Sequence, residues 1–196
     1  MANQNDTNKV RYGLSNVHIW PKTGDTEWGE PIKIPGAVNL SMSPEGTSEL
    51  FFADNGPYFD TISNNGWSGE VEIAKIPDEF YVVALGWRID ANGALVEVSD
   101  AVAKPFAFGF EVMGDKQRRR TVYFECTAQR PNDENKTVEA TVTPKTEKFS
   151  INAIPVEFAN GERSAKLTLP KSETNTAVYD AFFTNVVTPD FGKATE

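Results

Sequence analysis

The chain has 196 residues, of which 39% are hydrophobic and 24% charged, and its 19 Lys and Arg against 28 Asp and Glu give a formal charge of −9. That length predicts one domain with a core of its own. No run of about 18 apolar residues marks a membrane span, a single cysteine permits no internal disulfide and suits a reducing compartment, and an acidic chain is a poor nucleic-acid binder because phosphates are met by Lys and Arg.

Residues 1–10 (MANQNDTNKV) lack the basic region and apolar core of a signal peptide and are expected to form a flexible polar arm. Residues 16–20 (NVHIW) alternate Val17 and Ile19 with polar positions and predict a strand. Residues 32–34 are a short apolar piece stopped by Pro35-Gly36. Residues 37–42 alternate Val38, Leu40 and Met42 and predict a second strand. Residues 43–65 are rich in Gly, Asn, Pro, Asp and Ser, with strand-like fragments at 50–53 and 58–62; they predict a loop or arm that projects from the body. A strand over 66–76 carries Val71 and Ile73. Pro77, the acidic Asp78 and Glu79, the spacing of Phe80, Val83 and Ala84, and Gly86 as cap predict a helix. Asp90-Ala91-Asn92-Gly93 predicts a turn, followed by a short strand over 95–98.

The most strongly patterned stretch is 106–130. Phe106, Phe108, Phe110 and Val112 take even positions, and so do Val122, Phe124 and Cys126 beyond the turn. This predicts a β-hairpin with one buried face. Directly opposed residues of an antiparallel pair share a face. A five-residue turn over 114–118 would therefore set Phe110 opposite Val122, Phe108 opposite Phe124 and Phe106 opposite Cys126, with Arg119 and Arg120 on the rim.

Residues 130–136 read as a polar loop, and 138–142 alternate with Glu139 and Thr141 outward. Phe149, Ile151 and Ala153 continue on odd positions, then Val156 and Phe158 switch to even across Ile154-Pro155, which predicts a bulge. Asn160-Gly161 is a type I′ hairpin signal, and a strand follows over 165–169. Ala177, Val178, Ala181 and Phe182 predict a short helix within 174–183. Pro189 and Gly192 mark an open tail. The sum is a mainly β chain: two packed antiparallel sheets, as a β-sandwich or partly closed barrel with a flanking helix, over residues 11–170, then a C-terminal helix and tail over 171–196.

No residue pattern points to catalysis. His18, the one histidine, alternates out of phase with Val17 and Ile19 and reads as a solvent-facing strand residue. No Gly-x-Ser-x-Gly elbow occurs. Cys126 lies on the apolar face of the hairpin and reads as a small buried hydrophobe. One His and one Cys do not make a zinc site. Asp54-Asn55-Gly56 and residues 90–93 are turns rather than calcium loops. No phosphate loop is present, no spacing singles out a glycosidase pair, and no cofactor is expected. Trp20, Trp28, Trp67 and Trp87 could line a sugar-binding face, against which stands packing in the core or at a subunit interface. Arg118-Arg119-Arg120, the one basic cluster, fits a nucleic-acid contact poorly at this net charge. It fits better as a set of donors to carboxylates of an identical neighbour.

Four segments in order carry a likeness: RYGLSNVHIW (11–20), PGAVNLSMSPEGTSELFFAD (35–54), GEVEIAKIPDEFYVVALG (69–86), and FAFGFEVMGDKQRRRTVYFECTAQRP (106–131) with its GDKQRRR and ECTAQRP words. In these the chain resembles the major tail (tail tube) proteins of long-tailed phages that infect Gram-positive bacteria. The likeness runs from about Val10 to Pro170.

The resemblance implies a structural virion protein without catalytic residues. Such a protein associates with itself into rings, hexameric in this family, that stack into a tube. DNA and the tape measure protein pass through the lumen, and tail terminator and distal tail proteins are further partners. Assembly would take place in the host cytoplasm and no membrane would be bound. An acidic lumen would repel DNA and let it slide. The subunit-interface candidates are Asp115, Lys116, Arg118, Arg119 and Arg120 on the hairpin turn and Phe51, Phe52, Asp54 and Tyr58 on the 43–65 arm. The alternative reading is a carbohydrate-binding β-sandwich module at a phage tail tip.

Overall fold

The computed structural model describes residues 11–115, 117–135, 137, 145–159 and 161–191. The arm expected over 1–10, the alternating segment 138–142, Lys116, Asn160 and the end of the tail lie outside the described residues.

The chain is mainly β and its strands pair antiparallel. β1 (Leu14–Pro21), β2 (Ile32–Lys33) and β3 (Ala37–Glu45) come first. β4 (Ser48–Ala53) and β5 (Gly56–Ile62) form a hairpin, and β6 (Gly66–Ile73) leads to helix α1 (Asp78–Leu85). A short pair, β7 (Arg88–Ile89) and β8 (Leu95–Val96), precedes β9 (Phe106–Val112) and β10 (Arg120–Ala128). Then follow β11 (Glu147–Ile154), β12 (Val156–Glu157), β13 (Arg163–Ser164) and β14 (Lys166–Leu169). Helix α2 (Thr176–Asp180) ends in a 3-10 turn, Ala181–Phe183.

Among the described residues the main sheet has the order β2-β1-β9-β10-β11-β6-β3. β14 also joins it: opposite its β9 edge, β10 pairs with β14 through Arg120–Tyr123 and with β11 from Glu125 onward. β10 is therefore the point at which the sheet forks.

Helix α1 forms where its terminal residues place it. Pro77 holds an extended backbone (φ −71°, ψ 149°) just before it, and Gly86 closes it at φ 74° with its N–H donating to the Tyr81 carbonyl. The helix buries Phe80, Ala84 and Leu85. Phe80 meets Phe149 at 4.4 Å and Phe106 at 5.9 Å between ring centroids, which fixes the helix across β9 and β11.

The hairpin β9–β10 forms as the alternation predicts, but it is buried on both faces. Phe106, Phe108, Tyr123 and Cys126 enter one apolar cluster with Val17, Ile19, Phe149 and Ile151. Ala107, Val122 and Phe124 enter a second with Trp20, Val156, Phe158 and Phe182. A single buried face was the expectation; the second is covered because the C-terminal segment folds back over the sheet and brings Phe182, Phe183, Val186 and Val187 onto it.

The register differs accordingly. Phe106 does lie opposite Cys126, but Phe108 faces Tyr123 and Phe110 faces Thr121, with an irregularity in β10 between Tyr123 and Cys126. That bulge shifts the facing by one residue, so Val122 and Phe124 turn away from the phenylalanines of β9. The switch at Ile154-Pro155 also has a different cause from the expected bulge. β11 ends there and β12 pairs with β13 in a separate two-stranded sheet. Pro155 has no N–H to continue a ladder, and beyond it Val156 and Phe158 fall into the second cluster rather than the first.

Candidate functional site

The two predicted interface segments have opposite characters. The first, the β9–β10 turn, is tied down within the chain. Asp115 is buried, accepts the Gln117 N–H at 3.0 Å and pairs with Arg119 Nη1 at 3.1 Å. Arg119 also donates to Gln117 Oε1 at 2.8 Å. Arg120 Nε lies 3.3 Å from Glu111 Oε2, and Glu111, only 6% exposed, takes a second hydrogen bond from Asn16 Nδ2 at 3.1 Å. The Arg120 guanidinium stacks over the rings of Tyr179 and Phe183, with its carbon 3.9 Å and 4.8 Å from their centroids, and donates to the Tyr179 carbonyl.

Arg118 is exposed and holds a left-handed backbone (φ 45°); its carbonyl accepts the Tyr179 hydroxyl at 2.6 Å. Arg119 and Arg120 are thus not free rim residues. Arg118 and Arg120 are met by the chain's own C-terminal segment, a relation that sequence spacing of about 60 residues gave no means to find, while Arg119 is held within the turn by Asp115 and Gln117. Of the three, Arg118 alone has an exposed side chain.

The second segment is open. β4 and β5 continue the β3–β6 ladder: Glu45 faces Gly66, the Asn65 N–H donates to the Glu45 carbonyl, the Ser63 N–H donates to that of Thr47, and Ser48 faces Ile62. Six paired positions along the ribbon at about 3.3 Å each give an arm roughly 20 Å long beyond that point. Its tip is closed by Asp54 and Asn55, both left-handed (φ 49° and 63°), as a type I′ turn demands.

Leu50, Phe51, Phe52, Tyr58 and Phe59 are each more than half exposed, from 55% for Leu50 to 72% for Tyr58. Phe51 faces Phe59 across the ladder while Phe52 faces Pro57, so apolar residues occupy both surfaces of the ribbon. An isolated two-stranded ribbon is at best marginal in water. Five large apolar side chains on one arm amount to roughly the few hundred Å² that marks an interaction surface. Glu49, Asp54 and Asp60 are the only charged residues from Ser48 to Ile62, so the arm is apolar and acidic together. The predicted candidates Phe51, Phe52, Asp54 and Tyr58 all lie on it. Sequence reasoning missed Leu50 and Phe59, although both belong to the same strand-like fragments.

The remaining predicted features are structural. His18 is half-buried rather than solvent-facing. It sits 4.8 Å from the Phe183 ring and 5.9 Å from Trp20 between centroids, because the C-terminal segment covers the side of β1 that the alternation assigns to solvent. Burial holds its pKa below the ordinary 6.5; the hydrogen bond from Nδ1 to the Asn16 carbonyl opposes this shift, and the charge of Lys33 adds to it.

Cys126 is fully buried, which pushes its thiol up. The four tryptophans share no face. Trp20 and Trp28 pack in the second cluster, Trp67 and Trp87 against the first. Trp28 Nε1 donates to the Phe124 carbonyl at 3.0 Å. A continuous indole platform for a sugar is therefore not formed. Among the described residues no group of three or more His, Cys, Asp or Glu is placed to hold a metal ion, and no helix is long and apolar enough to cross a membrane.

No protein-family model matches this chain, and no curated protein matches it significantly.

Proposed function

We propose that the chain is a structural, non-enzymatic tail tube subunit of a long-tailed phage, which associates with copies of itself into rings that stack around a lumen for DNA. The observation that carries this reading is the β4–β5 arm, with Leu50, Phe51, Phe52, Tyr58 and Phe59 exposed on a ribbon that has no core of its own. Such an arm is stabilised by contact with another molecule, and the four ordered segments of resemblance name the kind of assembly. On this reading the two apolar clusters belong to packed sheets that curl toward a partial barrel. The ring is hexameric as in the family, the tape measure, terminator and distal tail proteins are the other partners, and the charge of −9 disfavours adhesion of the lumen to DNA.

Negative-stain microscopy of the purified protein across a concentration series tests the reading. Rings or tubes are the expected result. A chain that sediments as a monomer at every concentration and ionic strength, with its arm unprotected from protease, overturns it.

A further inference from the structure

The arm has a chemical counterpart elsewhere on the same chain. β1 and β3 lie against each other, but among the described residues no ladder joins them: β1 pairs with β2 and β9, and β3 pairs with β6 alone. The gap between them opens into a groove of about 370 Å³. Tyr12, Leu14, Val38, Leu40, Met42 and Phe110 line it. Leu14, Leu40, Met42 and Phe110 pack against the first cluster and stay only partly buried, so the groove is a place where that core reaches the surface. Val38 is 51% exposed and Tyr12 is 68% exposed.

Arg11 is the charged residue of the lining. Lys166 lies near enough to feel its charge: burial first, and then Arg11, hold the Lys166 pKa below its ordinary value. Among the described residues the β3 backbone along the gap is an unpaired edge, of the kind that an added strand takes up.

We propose that this groove receives the β4–β5 arm of a second copy of the chain, a docking that rests on the self-assembling reading above. Three observations favour the second copy as occupant. The arm carries apolar side chains on a strand-forming ribbon, and the groove offers an apolar floor beside a free strand edge. The arm is purely acidic, with Glu49, Asp54 and Asp60, and the groove carries Arg11. Among the described residues the two do not meet within one chain, since the arm's aromatic residues are exposed and the groove is a separate opening lined by other residues. Two complementary surfaces that cannot satisfy each other within a molecule make a heterologous contact, which closes into a ring or runs on as a filament.

Complementation between two variants tests the docking. Val38→Asp with Arg11→Glu disables the groove, and Phe51→Asp with Phe59→Asp disables the arm. All four positions are exposed, and circular dichroism checks that both variants remain folded. Each variant alone is expected to stay monomeric in sedimentation. Mixed in equal amounts they are expected to form a one-to-one dimer, because one intact groove meets one intact arm.

If the arm variant fails to assemble while the groove variant assembles like wild type, the groove assignment is overturned and the self-assembling reading stands. A wild type that never assembles overturns both. A Val38→Cys thiol tests the competing occupant. If it is shielded in the monomer and becomes reactive on removal of residues 1–10, the chain's own N-terminus fills the groove, and the docking is overturned. Cys126, being buried, stays silent in that assay.

Discussion

Arg120 lies over the face of Tyr179, guanidinium carbon to ring centroid 3.9 Å, while its Nε faces Glu111 at 3.3 Å. One side chain thereby joins β9, β10 and the C-terminal segment. Arg120→Ala leaves Glu111 buried with Asn16 as its remaining side-chain partner, and the loss of one member of a buried pair costs about 3–5 kcal/mol. A large drop in the urea midpoint is expected. Arg120→Lys recovers only part of it, since an ammonium keeps the charge but loses the planar stack and the fork. A midpoint within error of wild type for Arg120→Ala would remove the latch. The same geometry means that charge reversal at Arg120 damages the subunit itself and is a poor probe of assembly.

The arm supplies the cleaner probe. Phe51→Ser with Phe59→Ser removes two rings that are already 62% and 61% exposed. Surface changes of this kind alter stability by about 0.5 kcal/mol or less. Unfolding of the monomer is therefore expected to be unchanged while sedimentation shows no assembly. Tubes formed by this double variant at the wild-type concentration would show that the arm is dispensable.

His18 sets a pH dependence whose sign follows from its burial. Its folded pKa lies below the 6.5 of the free side chain, so between the two values the unfolded chain binds more protons. The neutral ring therefore contributes stability that is present above pH 6.5 and is lost as pH falls through the folded pKa. Denaturant melts from pH 8 to pH 5 are expected to show this acid-side loss in the wild type. In His18→Gln the slope assigned to this group disappears. An equal slope in both proteins refutes the assignment.

Two glycines differ in what a methyl group would meet. At Gly66 the backbone has φ +119°, and an added Cβ would fall 2.0 Å from the Ala153 carbonyl oxygen. At Gly56 nothing lies within 4 Å. Gly66→Ala is expected to cost several kcal/mol, on the order of the largest single-site effects, because both the conformation and the close approach of β6 to β11 are lost. Gly56→Ala is expected to stay within about 0.5 kcal/mol of wild type. Thermal melts of the pair check both.

Local periodicity made much of the fold legible. β1, β3, β6 and β11 lie where alternation places them, and Pro77 and Gly86 bound the helix as their backbone chemistry requires. The 43–65 excursion resolved into a hairpin because strand-forming fragments flank Asp54-Asn55, two residues suited to left-handed conformations. What was not legible depends on tertiary cover. His18 and the odd positions of β9 carry no local sign that residues more than 70 positions later fold over them. The shift between Tyr123 and Cys126 is invisible because all four residues there tolerate a strand. The groove could not be read either, since it is defined by two strands, β1 and β3, that approach without pairing.

The continuity of the arm with β3 and β6 gives it a mechanical role. A pull on its tip draws both strands along their own axes. Toward the rest of the sheet that load passes into the β6–β11 ladder, which runs without a break from Ile73 opposite Glu147 to Trp67 opposite Ala153. Hydrogen bonds of an antiparallel ladder lie across the strands, so they are loaded together in shear rather than opened one after another. The arm is anchored as a tension member, and force applied at Asp54 and Asn55 is delivered to the middle of the sheet.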